Sequence, residues 1–246
     1  MATDTTAKEI PQVLPVELRP CVDNLVTEDD TPVDNIYSEK QQRLLTEPLY
    51  SSWKPTTEST SFVAFANVGL FYAIKQPPYV PDMLLSLDVE LPADLHPKAH
   101  RSYFVWEYGK PPDAVIEVVS NKEGGEDTKK VAGYARIGVR YYVIYDPERL
   151  LSEQVLRAFQ LDAMRYREMD QPITLEGIGL ELRLWQGRYE AHENTWLRWF
   201  DLNGDLVPTG AERAEQERQR AEQQQQRAER LAQQLRELGV DPDDLD

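Results

Sequence analysis

The sequence predicts an α/β fold: a mixed central β-sheet flanked by α-helices, with a β-rich extension and a helical tail toward the C-terminus. Three observations carry this. "AVIEVVS" at 114–120 and "VRYYVIYDP" at 139–147 are short, nearly continuous apolar runs, the pattern of strands buried on both faces. Between them "EDTKKVAGYARIG" has helical spacing and stops at Gly138, so 114–146 has the strand–helix–strand signature of a parallel βαβ unit. Lastly, "AERAEQERQRAEQQQQRAERLAQQLRELG" at 211–239 is Glu, Gln, Arg and Ala almost without a breaker, as a long polar helix would be.

In chain order, 1–34 has scattered prolines, many acids and no sustained period, and reads as an irregular or mobile acidic leader. "NIYSEKQQRLLTEPLYSSW" reads as a helix with Ser38 as N-cap, Gln41 as its capping-box partner and Leu44, Leu45 and Leu49 on the apolar face. "SFVAFANVGLFYAIKQPPYVPDMLLSLDVEL" predicts strands near 62–66, 69–74 and 82–88. A loop, "LPADLHPKAHRSYFVWEYGKPP", precedes the βαβ unit; its aromatics and bases suit contact with nucleic acid or packing on the domain almost equally. From 152 to 200 the pattern is a β-meander, plausibly of hairpins, with Gln186-Gly187 as a turn signal. In the tail, Ala214, Ala221, Ala228 and Leu235 recur every seven residues, and Leu231 with Leu238 adds a second seam. A coiled coil and a single solvated helix both fit, ended by Gly239 and Pro242. The predicted organisation is therefore a leader at 1–34, one domain at 35–205 and a tail at 206–246.

Composition excludes several classes. With 246 residues, 41% of them apolar, the chain can bury a substantial core, and no run approaches the ~20 apolar residues of a membrane helix. "MATDTTAKEIPQ" has no secretory pattern. A single cysteine, Cys21, excludes an internal disulfide framework, and His96, His100 and His192 form no spaced metal motif. Any metal would be a hard cation held by oxygens, and a reducing cytoplasm is the expected compartment. The net charge of −16 opposes phosphate binding, but it is unevenly spread. Residues 1–40 hold nine acids against three bases, 151–209 and 210–246 ten against six each, and 41–150 fourteen against twelve. The middle of the chain is close to neutral.

That middle carries the chemistry. Asp82 follows Pro81 at the start of one predicted strand, and Glu117 is the single charge within "AVIEVV". If the strands are neighbours, two carboxylates meet at one end of the sheet and repel unless one is protonated or a cation lies between them. Mg²⁺, which takes one or two carboxylates plus phosphate oxygens and waters, suits so sparse a donor set. A lysine belongs beside such a site, and Lys122, Lys129 and Lys130 are candidates. Lys130 shares a helical face with Tyr134 and would point to the sheet end that carries Glu117, whereas Lys129 points about 100° away, toward water. Against these stand ordinary readings: Asp82 as turn chemistry, Asp146 as a strand-end cap, Tyr134 and Tyr142 as core, His96 and His100 as surface.

"PD" at 81–82, "VIEVVS" at 115–120 and "EDTKKVAGYARIGVRYYVIYDP" at 126–147 together resemble the Uma-type putative restriction endonuclease family of the PD-(D/E)XK nuclease superfamily, over roughly 35–200. The resemblance implies a restriction-endonuclease-like fold and metal-dependent phosphodiester hydrolysis on DNA, by a homodimer with one site for each strand. Asp82 and Glu117 match the superfamily's two acids. The position two beyond Glu117, usually lysine, is Val119, and the family's replacement lysine from the next helix falls on Lys130. The first-helix acid would be Glu39, a looser match. The implied metal ligands are Asp82, Glu117 and the backbone carbonyl of Val118, holding Mg²⁺ with Mn²⁺ as a substitute. A non-catalytic scaffold, acting through the acidic leader and helical tail, is the alternative.

Overall fold

The computed structural model describes residues 13–23, 25, 35–55, 61–122 and 124–237. The chain divides into two compact units, one ending at Val207 and one beginning at Pro208.

In the first unit, helix α1 (Ile36–Ser52) is followed by β1 (Phe62–Phe65), β2 (Leu70–Phe71), β3 (Met83–Leu87), β4 (Tyr103–Phe104) and the single turn α2 (Val105–Tyr108). Then come β5 (Ala114–Val118), α3 (Lys129–Ile137) and β6 (Tyr141–Tyr145). The unit ends with β7 (Leu156–Asp162), β8 (Arg165–Glu168), β9 (Ile173–Leu175), β10 (Leu180–Tyr189) and β11 (His192–Asp201). The second unit holds α4 (Gly210–Glu237). No helix among the described residues is long and apolar enough to cross a membrane.

The fold is the predicted mixed α/β arrangement. Six strands form the central sheet in the order β1-β3-β5-β6-β7-β8, with β5 and β6 parallel and every other neighbouring pair antiparallel. The parallel pair is the expected βαβ unit, with α3 as the crossover that returns the chain for parallel pairing. Gly138 closes α3 with φ 94°, a left-handed backbone that glycine adopts without steric cost, and its N–H donates to the carbonyls of Tyr134 and Ala135.

Both faces of the sheet are buried, which explains the unbroken apolar runs of β5 and β6. On one face Met83, Leu85, Ile116, Val143 and Ala158 pack against Leu45 and Leu49 of α1 and against Leu180, Leu182, Leu197 and Trp199. On the other, Leu84, Val115, Tyr142, Ile144 and Phe159 pack under Tyr134 of α3. The three-stranded sheet β11-β10-β9 is fastened to α1: Gln41 bonds both the carbonyl and the N–H of Leu197, at 2.8 and 3.0 Å. The indole N–H of Trp199 donates to Leu45 O at 2.7 Å.

Three expectations are corrected. Helix α1 begins earlier than Ser38: Asn35, with extended backbone, caps it by accepting from Ser38 N at 2.9 Å. Asn and Ser are near-equal caps, worth about 1 kcal/mol, so the choice falls to the residue that precedes the first helical turn; Gln41 is left free to bind Leu197. The stretch 91–112 is only partly loop. Tyr103, Phe104, Trp106 and Tyr108 are buried in β4 and α2, so its aromatics serve packing rather than a nucleic-acid surface. Of the leader, residues 13–23 and 25 are described; Val22 packs with Phe71, Phe104 and Trp106, and Arg19 pairs with Glu107 at 2.5 Å.

The third concerns the meander, which is two separate sheets, with β7 and β8 completing the central one. Gln186-Gly187 lies inside β10, not at a turn. A Cβ at Gly187 would come within 2.3 Å of the Trp185 ring, so glycine is there for close approach. The hairpin instead turns at Glu190 and Ala191, both left-handed with φ 43° and 69°. In the second unit, Ala214, Ala221, Ala228 and Leu231 are exposed on α4. Leu238, Gly239 and Pro242, named above in the heptad and its stop, lie outside the described residues.

Candidate active site

Strand register decides where the two acids meet. Met83 of β3 faces Ile116 of β5, and one step further along this antiparallel pair sets Asp82 opposite Glu117. Residues opposed in this way have Cβ atoms about 5 Å apart. Alternation along the strands puts Asp82 and Glu117 on the face of Leu84 and Val115, the face that α3 covers. Both are buried, Asp82 to 8% exposure and Glu117 to 1%.

Each carboxylate oxygen has a donor. Asp82 Oδ1 accepts from the side-chain amide of Gln42 at 2.6 Å, and Oδ2 from the backbone N–H of Val118 at 2.7 Å. Glu117 Oε1 accepts from the Tyr134 hydroxyl at 2.6 Å, and Oε2 from Lys130 Nζ at 3.0 Å. Lys130 also lies 3.0 Å from Oε1 of Glu126, while Tyr142 donates to the Glu126 carbonyl at 2.8 Å. Asn67 braces Gln42 through a 2.8 Å bond to its side-chain oxygen.

Electrostatics follow burial. Loss of water pushes Glu117 up to about 8, opposed by the Lys130 ammonium and reinforced by the charge of Asp82. Burial also raises Asp82, against the pull of the Val118 and Gln42 donors. Burial alone would lower Lys130, but Glu117 and Glu126 outweigh it and hold the ammonium above its ordinary value. Tyr134 is raised well above a free phenol by burial and by the neighbouring Glu117 charge, and so serves as a donor. The site is thus two buried acids with one ammonium between Glu117 and Glu126.

The model of the Uma2 family, described as a putative restriction endonuclease, matches residues 27–184, more than half of the chain. The chain belongs to the Uma2 family. That membership suggests a nuclease-like function with DNA as substrate. No curated protein matches the chain.

In this Uma2 chain three of the residues singled out in the sequence, Asp82, Glu117 and Lys130, come together. Val118 adjoins them through its N–H. Val119, at the usual lysine position, is buried among apolar side chains, and α3 brings Lys130 to Glu117 instead. Lys122 and Lys129 are exposed. Glu39 does not join the site: it pairs with Arg43 at 2.7 Å with nearly half its side chain in solvent, and Gln42 is the α1 residue that reaches Asp82. Asp146 is the expected cap, accepting from the backbone N–H of Leu150 and Leu151 at 2.8 and 2.7 Å.

Sequence reasoning missed Gln42, Glu126 and the polar role of Tyr134. Gln41 and Gln42 stand four and three residues before Leu45 on the core face of α1, and a polar pair there was the available signal. The donors offered to a cation are hard oxygens. Among the described residues no group of three or more His, Cys, Asp or Glu forms a cage. Two carboxylates with the remaining positions left to water and phosphate is how Mg²⁺ is held, so the residues fit that ion.

Proposed function

We propose that the chain is a Mg²⁺-dependent DNA endonuclease, Mn²⁺ being an effective substitute, with Asp82, Glu117 and the carbonyl of Val118 as the protein's ligands to the cation. One observation carries the reading: two buried carboxylates with raised pKa face each other in register, with a single lysine at 3.0 Å. Two carboxylates buried face to face are costly unless one is protonated or a cation compensates; Lys130 supplies one positive charge, and a bound divalent cation would supply the rest when both acids are ionised. When bound, the ion lowers the pKa of a water and neutralises charge on the scissile phosphate. The chain's own residues do the rest. Gln42 and the Val118 N–H hold Asp82 in one orientation, and Tyr134 orients Glu117. Lys130 holds the attacking water or steadies the negative charge that grows on the phosphate oxygens.

The test is incubation of purified protein with supercoiled plasmid and Mg²⁺ or Mn²⁺, beside Asp82→Ala and Lys130→Ala variants checked for folding by circular dichroism. Cleavage by the wild type alone is expected. Absence of both cleavage and cation binding by calorimetry would sink the enzyme and leave the scaffold reading, which draws on α4, a helix of 28 residues with none buried. Cutting both strands calls for two sites, so we expect a homodimer. Light scattering should then give twice the 28.4 kDa chain mass, and the same measurement without 210–246 shows whether α4 mediates the pairing.

A further inference from the structure

We propose that Glu126 is a positioning residue of this site, holding the Lys130 ammonium where a strand lysine would otherwise stand. The inference rests on the nuclease reading above and assigns a role to a residue outside the two opposed acids. Glu126 lies four residues before Lys130, and its Oε1 and Oε2 of Glu117 each sit 3.0 Å from Nζ. A lysine on β5 would be placed by the strand itself. Lys130 comes from a neighbouring helix on a flexible four-carbon stem, so two anchors are needed to fix its head.

The surroundings of Glu126 are built for this. Its backbone carbonyl is held by Tyr142, a residue of the sheet beneath. Its carboxylate lies over Gly124, where a Cβ would meet Oε1 at 1.9 Å and Oε2 at 2.7 Å. What Gly124 lacks is the side chain that would displace the carboxylate. Glu126 is 8% exposed, and its Oε2 is buried with no hydrogen-bond partner among the described residues. A buried acid with one oxygen unpaired gains the fold little. It makes sense as a group whose one strong contact is the site lysine, with a second acceptor free for a water.

Full-length Glu126→Gln and Gly124→Ala proteins test this, with the double variant. Each single change should lower kcat for plasmid cleavage by about 10–100-fold, the range typical of residues that orient a site from behind, with KM for DNA and the Mg²⁺ requirement little altered. The double variant should lose no more than the worse single one, because both changes act through the same carboxylate. A second readout needs no activity. In metal-free protein, reductive methylation of Lys130, followed by peptide mass spectrometry, should speed up several-fold in both variants relative to Lys129 and Lys122. Unchanged Lys130 reactivity in Glu126→Gln would overturn the proposal, as would unchanged kcat or additive losses in the double variant. If the wild type cuts no DNA while Lys130 is released as expected, the nuclease reading fails and the placement of Lys130 stands.

Discussion

Glu117→Gln is expected to abolish Mg²⁺-dependent cleavage while making the metal-free protein more stable above pH 8. The activity loss should reach at least ~10²–10³-fold, as when one preorganised electrostatic partner is removed. The stability gain follows from linkage. Glu117 has its folded pKa raised to about 8 from 4.5. A group raised on folding contributes stability that is fully present below the unfolded pKa and lost as pH rises through the folded one. The metal-free wild type should therefore lose stability steadily between about pH 4.5 and pH 8. Asp82, also raised, adds loss in the same direction from about 3.8 upward. Lys130, raised above 10.5, changes nothing in that window. Glutamine has no proton to lose, so the variant's thermal midpoint should be much flatter from pH 5 to 9. Parallel curves for the two proteins would show that Glu117 ionises as freely folded as unfolded.

The same acids predict a large cation effect. At a concentration 100 times its dissociation constant, Mg²⁺ should stabilise the wild type by about 2.7 kcal/mol. For a chain of this size that is a rise of about 5–10 °C in thermal midpoint. The rise should be larger at pH 8 than at pH 5.5, where protons compete for Glu117 and Asp82, and EDTA should reverse it. Calorimetric scans with and without Mg²⁺ at both pH values measure it. Equal rises at the two pH values, or the same rise in Glu117→Gln, would place the ion elsewhere.

Much of this site was legible before any coordinates. An acid inside "AVIEVV" conflicts with a strand buried on both faces, and that conflict located Glu117. Helical spacing in "TKKVAGY" then separated Lys130 from Lys129. What sequence could not supply was register. Nothing in "PDMLLSLDVE" says that Met83 meets Ile116, the pairing that sets Asp82 against Glu117. Gln42 and Glu126 were hidden for a related reason: each matters only through a partner on another element or beyond its own turn. Elsewhere the errors were local rules overridden by packing. Gly187 serves the Trp185 ring and not a turn. The aromatics of 103–108, which pattern left open between a nucleic-acid surface and packing, are buried in β4 and α2.

Adjacent glutamines on α1 have a consequence for biosynthesis. Gln41 is anchored to Leu197 and Gln42 to Asp82, so the helix that restrains Asp82 is itself held by β11. At roughly 5–20 residues per second, Leu197 leaves the ribosome several seconds after Asp82, Glu117 and Lys130 have been made. During that interval the nascent chain carries its reactive groups but not the anchor for α1. In this order of synthesis the Gln42–Asp82 contact has no β11 anchor behind its helix until the last sheet closes.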